Sequence, residues 1–203
     1  YFPDRKGYRI YLDELRDPTV RERLLKIWSD PHSLDPAREA ARVTREIAER
    51  LAEVSKALEA KGARAADVAP FLMRCIFTMF AEDVELLPKD SFRGLLRKSL
   101  DSPERFPQRV KELWTAMDKG GESMAIDATV LRFNGGLFKD TTAFELGREE
   151  IGELLAAAER DWRQVEPAIF GTLVEQALDP DERRRLGAHY TPRAYVERLV
   201  NVT

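Results

Sequence analysis

The sequence predicts a mainly α, bundle-like fold with at most a short strand or hairpin near residues 129–138. Three observations lead to this prediction. Apolar residues recur at three- and four-residue spacing along most of the 203-residue chain. Asp-Pro and Ser-Pro pairs stand at the expected helix starts, where a capping side chain and a proline at the first helical position favour a helix. The apolar content of 43% is enough to bury a core.

Two helices are predicted in the first third of the chain. Asp17-Pro18 opens a short helix, and Asp35-Pro36 opens a long one over residues 36–61. Lys61-Gly62 ends the long helix, because glycine readily adopts the left-handed conformation common after helix C-termini. Arg and Glu lie opposite a single apolar stripe on this helix, formed by Val43, Ile47, Leu51, Val54 and Leu58. We expect the stripe to pack against the rest of the domain.

A buried helix is predicted over residues 67–86. Its apolar residues leave almost no polar face before the carboxylates near its end, so it is the expected centre of the domain. Phe77 and Phe80 are therefore predicted to lie in the central core. Cys75 is interpreted as a small buried hydrophobe. Because it is the single cysteine, it excludes an internal disulfide and suits a reducing cytoplasm.

The rest of the chain continues the helical pattern with one interruption. Asp90 and Ser102-Pro103 open two further helices. After Lys119-Gly120-Gly121 the helical rhythm stops, and weak alternation over residues 129–133 predicts the short strand or hairpin. Helical segments then follow over residues 151–162, over 167–178 and from Pro192 onward.

Charge and hydropathy limit the classes of function. The net charge of -3 gives no global basic signature, so any contact with nucleic acid must come from a local patch. No apolar run approaches the ~20 residues that span a bilayer, which argues against a membrane partner. No segment resembling a signal peptide opens the chain.

Two motifs have alternative interpretations. Glu82, Asp83 and Glu85 could form a metal site or an acid/base pair, but no histidine is near in sequence. An arginine from a neighbouring helix is the expected partner, because a helix C-terminus disfavours extra negative charge. The Asn134-Gly135-Gly136 segment lacks the spacing of a nucleotide-binding loop, so a turn with positive φ is expected there.

The most distinctive sequence motif lies in the last part of the chain and is Gly187-Ala188-His189-Tyr190-Thr191-Pro192. Thr191 is placed to cap a new helix, and Pro192 suits its first position. Such a helix start presents free N–H groups at its positive end, which can seat a carboxylate or a phosphate.

A basic cluster flanks this loop, formed by Arg183, Arg184, Arg185 and Arg193. Two interpretations stay open. The arginines can face the phosphates of a nucleic acid. Alternatively, they form a solvated turn whose charge is balanced by Asp179, Asp181 and Glu182.

The Gly187–Pro192 loop, which follows an Ile-Phe-Gly-Thr-Leu helix at 169–173, resembles a family of DNA methyltransferases. These are the MmeI-like, or type IIG/IIL, enzymes, which are adenine-specific and S-adenosylmethionine-dependent and belong to restriction–modification or phage-defence systems. The same resemblance is carried by three earlier segments: Phe71 to Asp83, Phe133 to Phe138, and Asp161-Trp162. Together the segments cover roughly residues 67–200.

The resemblance implies a division of the chain and roles for its residues. Residues 1–165 correspond to a helical spacer, and residues 166–203 lead into the methyltransferase core and end at its first cofactor-binding motif. One wall of the S-adenosylmethionine pocket is assigned to Gly187, Ala188, His189, Tyr190, Thr191 and Pro192. The implied partners are double-stranded DNA, contacted through the intact protein, and a catalytic core with a nuclease or other module in cis. The implied location is the cytoplasm.

The motifs of the catalytic core are missing from the sequence itself. No Pro-Pro pair occurs, and neither Asn134 nor Asn201 precedes a proline. The chain begins at Tyr1 and stops shortly after Leu199-Val200. We therefore expect a piece of a longer enzyme that contains no catalytic residue and no metal site and is inactive alone. The alternative is a non-enzymatic helical scaffold or protein-interaction domain.

Overall fold

Helices dominate the part of the chain that the computed structural model describes, which is residues 10–31, 36–133 and 136–165. The predicted mainly α fold is confirmed, since only one short antiparallel hairpin interrupts the helices of these ranges. The elements are α1 (Pro18–Ser29), α2 (Pro36–Ala60), α3 (Ala65–Asp83), α4 (Ser91–Asp101), α5 (Phe106–Lys119), β1 (Gly121–Ser123), β2 (Ala128–Val130) and α6 (Arg148–Ala158). Within the described residues, no helix is both long enough and apolar enough to cross a bilayer.

The chain divides into two compact units between Arg42 and Val43. The first unit contains α1 and the start of α2. As predicted, Asp17 caps α1: its carboxylate accepts hydrogen bonds from the backbone N–H and the hydroxyl of Thr19, both at 2.8 Å. These bonds hold the pKa of Asp17 below its usual value. None of the residues of α1 is buried.

The long helix α2 matches its predicted range of 36–61 to within one residue. Its apolar stripe is buried as predicted, at Val43, Ile47, Leu51, Val54 and Leu58. The helix ends where Gly62 adopts a φ of 93°. The N–H of Ala63 then bonds to the carbonyl of Leu58 at 3.1 Å, which closes the left-handed turn expected after a helix.

The central helix of the second unit is α3. Phe71, Cys75 and Ile76 have no exposed surface. Burial raises the pKa of the Cys75 thiol, in agreement with its interpretation as a buried hydrophobe. The helix covers Ala65–Asp83 and not the predicted 67–86, because Glu85 adopts a left-handed φ of 62° and the chain turns there.

The prediction that Phe77 and Phe80 lie in the central core is wrong. Both rings are half-buried and pack against the edge of the core. The interior positions of α3 include three polar side chains, Arg74, Thr78 and Glu82. Phe77 instead joins an aromatic cluster with Phe133 and Phe138, whose ring centroids lie 6.1 and 5.8 Å from its own.

The hairpin lies slightly earlier in the chain than the predicted region 129–138. β1 and β2 pair antiparallel with Gly121 opposite Val130, so only β2 overlaps that region. The turn expected at Asn134-Gly135 falls outside the described residues.

A carboxylate of α5 holds the connection between the two strands. Glu112 accepts hydrogen bonds from the backbone N–H groups of Met124 and Ala125 at 3.0 and 2.9 Å, and from the hydroxyl of Ser123 at 2.8 Å. Asp127 closes the turn with a left-handed φ of 52°. The connection between the strands is therefore held by a side chain of the preceding helix.

Within the second unit, ion pairs join α6 and the residues just after it to α2 and the lysine that follows it. Later residues of α6 pair with earlier residues of α2, so the two helices run antiparallel. The pairs are Glu150–Lys61 at 2.6 Å, Glu153–Arg50 at 2.9 Å and Arg160–Glu46 at 3.3 Å.

Candidate functional site

The residues predicted to bind cofactor and DNA lie outside the described residues. They are Gly187–Pro192, Arg183–Arg185 and Arg193, and their roles stay predictions. The structure does describe the three earlier segments that carry the family resemblance, apart from residues 134 and 135, and it shows how they contact one another. Phe71–Asp83 forms most of α3. Phe133, Phe138 and Trp162, from the two later segments, contact this helix.

A polar ridge runs along the buried side of α3. Arg74, Thr78 and Glu82 are spaced four residues apart, which places them on one face of the helix. Buried polar groups are costly unless they are hydrogen-bonded, so each of the three must find partners on neighbouring segments. These partners determine what α3 holds in place.

Arg74 ties α3 to the segment that follows the hairpin. Its side chain is 2% exposed, and its Nη2 donates to the carbonyl of Thr142 at 2.8 Å. Its Nη1 pairs with Asp140 at 3.4 Å, and the guanidinium stacks 5.0 Å from the ring centroid of Trp114. The buried Nε finds no acceptor among the described residues. Burial lowers the pKa of Arg74, so this charge is held in place at a cost in solvation.

Thr78 links α3 to α5 without a charge. Its hydroxyl donates to the carbonyl of Arg74 at 2.6 Å and accepts from the indole N–H of Trp114 at 3.0 Å. The hydroxyl thus satisfies the polar atom of a fully buried Trp114 ring.

Glu82 caps α4 from the neighbouring helix. One of its carboxylate oxygens accepts from the backbone N–H groups of Phe92 and Arg93, at 2.8 and 3.1 Å. The other oxygen accepts from Nε of Arg93 at 2.6 Å. Asp90 precedes the helix as predicted, but its side chain makes no capping bond. A carboxylate at a helix N-terminus also interacts favourably with the helix dipole.

Arg93 is the partner expected for the carboxylates at the end of α3, and this prediction is confirmed. It contacts Glu82 at 2.6 Å and Asp83 at 3.1 Å. Burial works against the charge on Arg93, yet its pKa is raised because both carboxylates stabilise the cation. In the described ranges, no group of three or more His, Cys, Asp or Glu side chains is arranged to hold a metal.

Asp83 joins the same network to the end of the described chain. Its Oδ2 accepts the backbone N–H of Trp162 at 2.8 Å. The Trp162 ring is 1% exposed, and its indole N–H donates to the carbonyl of Ala157 at 3.0 Å. The carboxylate therefore links α3 to a residue that is 79 positions further along the chain.

Carboxylates of α3 and α5 fix the positions of backbone segments outside these two helices. Glu82, Asp83 and Glu112 each accept backbone N–H groups from another segment. Sequence reasoning recognised none of these three roles. The four-residue spacing of polar residues in an apolar helix was a usable signal for Glu82, whereas Asp83 and Glu112 gave no local signal.

Comparison with known proteins shows similarity to a DNA methyltransferase and to a restriction-modification enzyme. Residues 66–138 match the family model described as MmeI, helicase spacer domain. The chain is 29% identical over 132 residues to DNA methyltransferase A of Bacillus subtilis (strain 168). This match covers 60% of the present chain and 14% of the Bacillus protein. These matches confirm the resemblance to the helical spacer region of MmeI-like enzymes.

A solved structure supports the same relationship. It is described as the type IIL restriction-modification enzyme MmeI in complex with DNA. The match has a TM-score of 0.58 and 27% sequence identity, and it covers 76% of this chain and 22% of that chain. The chain thus spans less than a quarter of the length of either relative.

Proposed function

We propose that this chain is the helical spacer of a DNA N6-adenine methyltransferase from a restriction–modification or defence system. The observation that carries the proposal is the match of residues 66–138 to the MmeI helicase spacer model. The intact enzyme transfers a methyl group from S-adenosylmethionine to an adenine that is flipped out of duplex DNA. The spacer links an N-terminal module to the catalytic core, and the protein acts in the cytoplasm.

Within this proposal, residues 187–192 supply one wall of the S-adenosylmethionine site. The proposal is supported by the amino-acid sequence of the Gly187–Pro192 loop and by the affinity of helix N-termini for anionic groups. Arg183–Arg185 and Arg193 contact DNA phosphates from the adjacent turn. Phosphate contacts position a protein on DNA without reading its sequence, so base recognition belongs to another part of the enzyme.

The test is methyl transfer by the full-length protein with labelled S-adenosylmethionine and adenine-containing duplex DNA. We expect N6-methyladenine as the product. Tyr190→Ala and Thr191→Ala should weaken cofactor binding, whereas Tyr11→Ala, at a tyrosine that is 59% exposed, should leave it unchanged. A full-length protein that transfers no methyl group would contradict the proposal. The 203-residue chain alone should be inactive, because it contains no Pro-Pro pair for an adenine-binding motif.

A non-enzymatic scaffold is the second candidate, and one observation favours it. The helix α1 exposes three large apolar side chains, since Leu25, Ile27 and Trp28 are 66%, 46% and 87% exposed. Exposed apolar side chains on one helix are typical of a surface that binds another protein. The residues that follow Thr203 in the parent gene distinguish the candidates. A methyltransferase continues with an apolar strand, a Gly-containing loop and an Asn-Pro-Pro-aromatic motif.

A further inference from the structure

A segment without regular structure joins the region after the hairpin to α6. We call residues 139–145 the strap. Phe138 and Leu146, each 4% exposed, bracket the strap, and none of the residues between them is buried. Among the described residues, no backbone–backbone hydrogen bond involves residues 140–146. A segment with so few backbone hydrogen bonds and so little buried surface is expected to open locally before the whole domain unfolds.

Arg74 makes the polar contacts that hold the strap against α3. Its Nη2 donates to the carbonyl of Thr142 at 2.8 Å, and its Nη1 pairs with Asp140 at 3.4 Å. Asp140 also shapes the strap, because its Oδ1 accepts the backbone N–H and the hydroxyl of Thr142 at 2.8 and 2.6 Å. The Phe144 ring packs edge-on against Phe71, with the ring centroids 5.3 Å apart. The guanidinium and this aromatic contact therefore hold the strap on the core.

The burial of Arg74 is incompletely compensated. Its side chain is 2% exposed, whereas its carboxylate partner Asp140 is 63% exposed, and its buried Nε finds no acceptor among the described residues. The attraction between buried charges offsets their lost hydration only where the geometry is very good and the remaining hydrogen bonds are made. Replacing such a group with an apolar side chain of similar size is often neutral or stabilising. We therefore expect Arg74 to determine where the strap lies, and to add little to the stability of the domain.

We infer that the strap is a lid that opens as one unit, and that Arg74 holds it closed without adding to the stability of the domain. Opening separates Thr142 from Arg74 and Phe144 from Phe71, so water can reach a guanidinium that the closed form buries beside the Trp114 ring. Every contact of this lid lies within residues 71–146, so the lid does not depend on the proposed methyltransferase activity.

Protease cleavage of the folded chain measures the population of the open form. Trypsin cuts after Lys139 and chymotrypsin after Phe144, near the two ends of the strap, and mass spectrometry identifies the fragments. Arg74→Met should accelerate both cuts by the same factor, about tenfold or more, because hydrogen bonds from a charged group are lost. The urea midpoint of this variant should stay unchanged or rise. Arg64→Met is the matched control and should change neither cut, because it removes an arginine ion pair in which Arg64 is 81% exposed.

Asp140→Asn tests the same contact from the strap and leaves the core intact. The variant keeps an oxygen for Thr142 but removes the charge that pairs with Arg74. Both cuts should accelerate by about two- to fivefold in the parent, and not in the Arg74→Met background, where the partner is absent. Unequal factors at the two sites in Arg74→Met, or faster cleavage that a lower urea midpoint fully explains, would overturn the inference. An effect of Asp140→Asn that is the same with and without Arg74 would also overturn it.

Discussion

Replacing Glu82 with alanine tests whether the polar ridge of α3 holds the helical domain together. Glu82 is 2% exposed and accepts three hydrogen bonds, two from the first turn of α4 and one from Nε of Arg93. The Glu82→Ala variant leaves the backbone N–H groups of Phe92 and Arg93 without this acceptor. It also removes one of the two carboxylates that contact the partly buried Arg93.

The structure allows the size of the effect to be worked out. Removing one partner of a buried ion pair costs about 3–5 kcal/mol. Part of that figure is the loss of a helix cap, which is worth about 1 kcal/mol. Because Arg93 keeps Asp83 as a partner at 3.1 Å, we expect the lower end of the range, about 3 kcal/mol. That is a large share of the ~5–15 kcal/mol that stabilises a typical domain.

The assay is urea unfolding of the chain followed by circular dichroism. Glu82→Ala should lower the unfolding midpoint with little change in the slope of free energy against urea. Glu53→Ala is the matched control, because its ion pair with Lys56 joins side chains that are 64% and 71% exposed. The control should stay within about 0.5 kcal/mol of the parent. A Glu82→Ala variant as stable as Glu53→Ala would refute the view that this carboxylate caps α4.

Three further predictions concern the core, the pH dependence and the DNA contact. Phe71→Ala should cost about 3–5 kcal/mol of unfolding free energy, because the ring is fully buried. The half-buried Phe77→Ala should cost less, and thermal melts that reverse this order would contradict the packing. The hydrogen bond from Lys61 holds the pKa of Glu150 below its usual value. The stability advantage of the parent over Glu150→Gln should therefore be complete above the unfolded-state pKa of about 4.3 and decline as pH falls further, which urea melts at several pH values measure. In the full-length protein, replacing Arg183–Arg185 with Gln should make the slope of log affinity against log salt shallower by about 0.9 per lost phosphate contact, and an unchanged slope would assign the arginines to a solvated turn.

Periodicity and capping signals were sufficient to predict most of the helices. The long helix α2 was predicted closely because its apolar stripe is regular and Gly62 marks its end. These signals are local, since they depend on residues within one or two turns of each other. They do not show which residues of a uniformly apolar helix face the interior, so Phe77 was misplaced.

The positions set by distant partners could not be predicted in the same way. The hairpin depends on Glu112 from the preceding helix, and the start of α4 depends on Glu82 and not on Asp90. Each of these contacts joins residues whose proximity follows only from the packed fold. The arginine partner of the α3 carboxylates was predictable, because a buried charge needs an opposite charge. The residue that supplies it, Arg93, was not.

The pairing of α6 with α2 has a consequence for the order in which the domain forms. Glu150 and Lys61 are separated by 89 residues, and Glu153 and Arg50 by 103. Contacts between neighbouring helices such as α3 and α4 close much shorter loops, and contacts over a short separation generally form faster. The ion pairs between α6 and α2 are therefore expected to form late in folding. Weakening the pairs between α6 and α2 should then mainly speed unfolding and leave the folding rate almost unchanged.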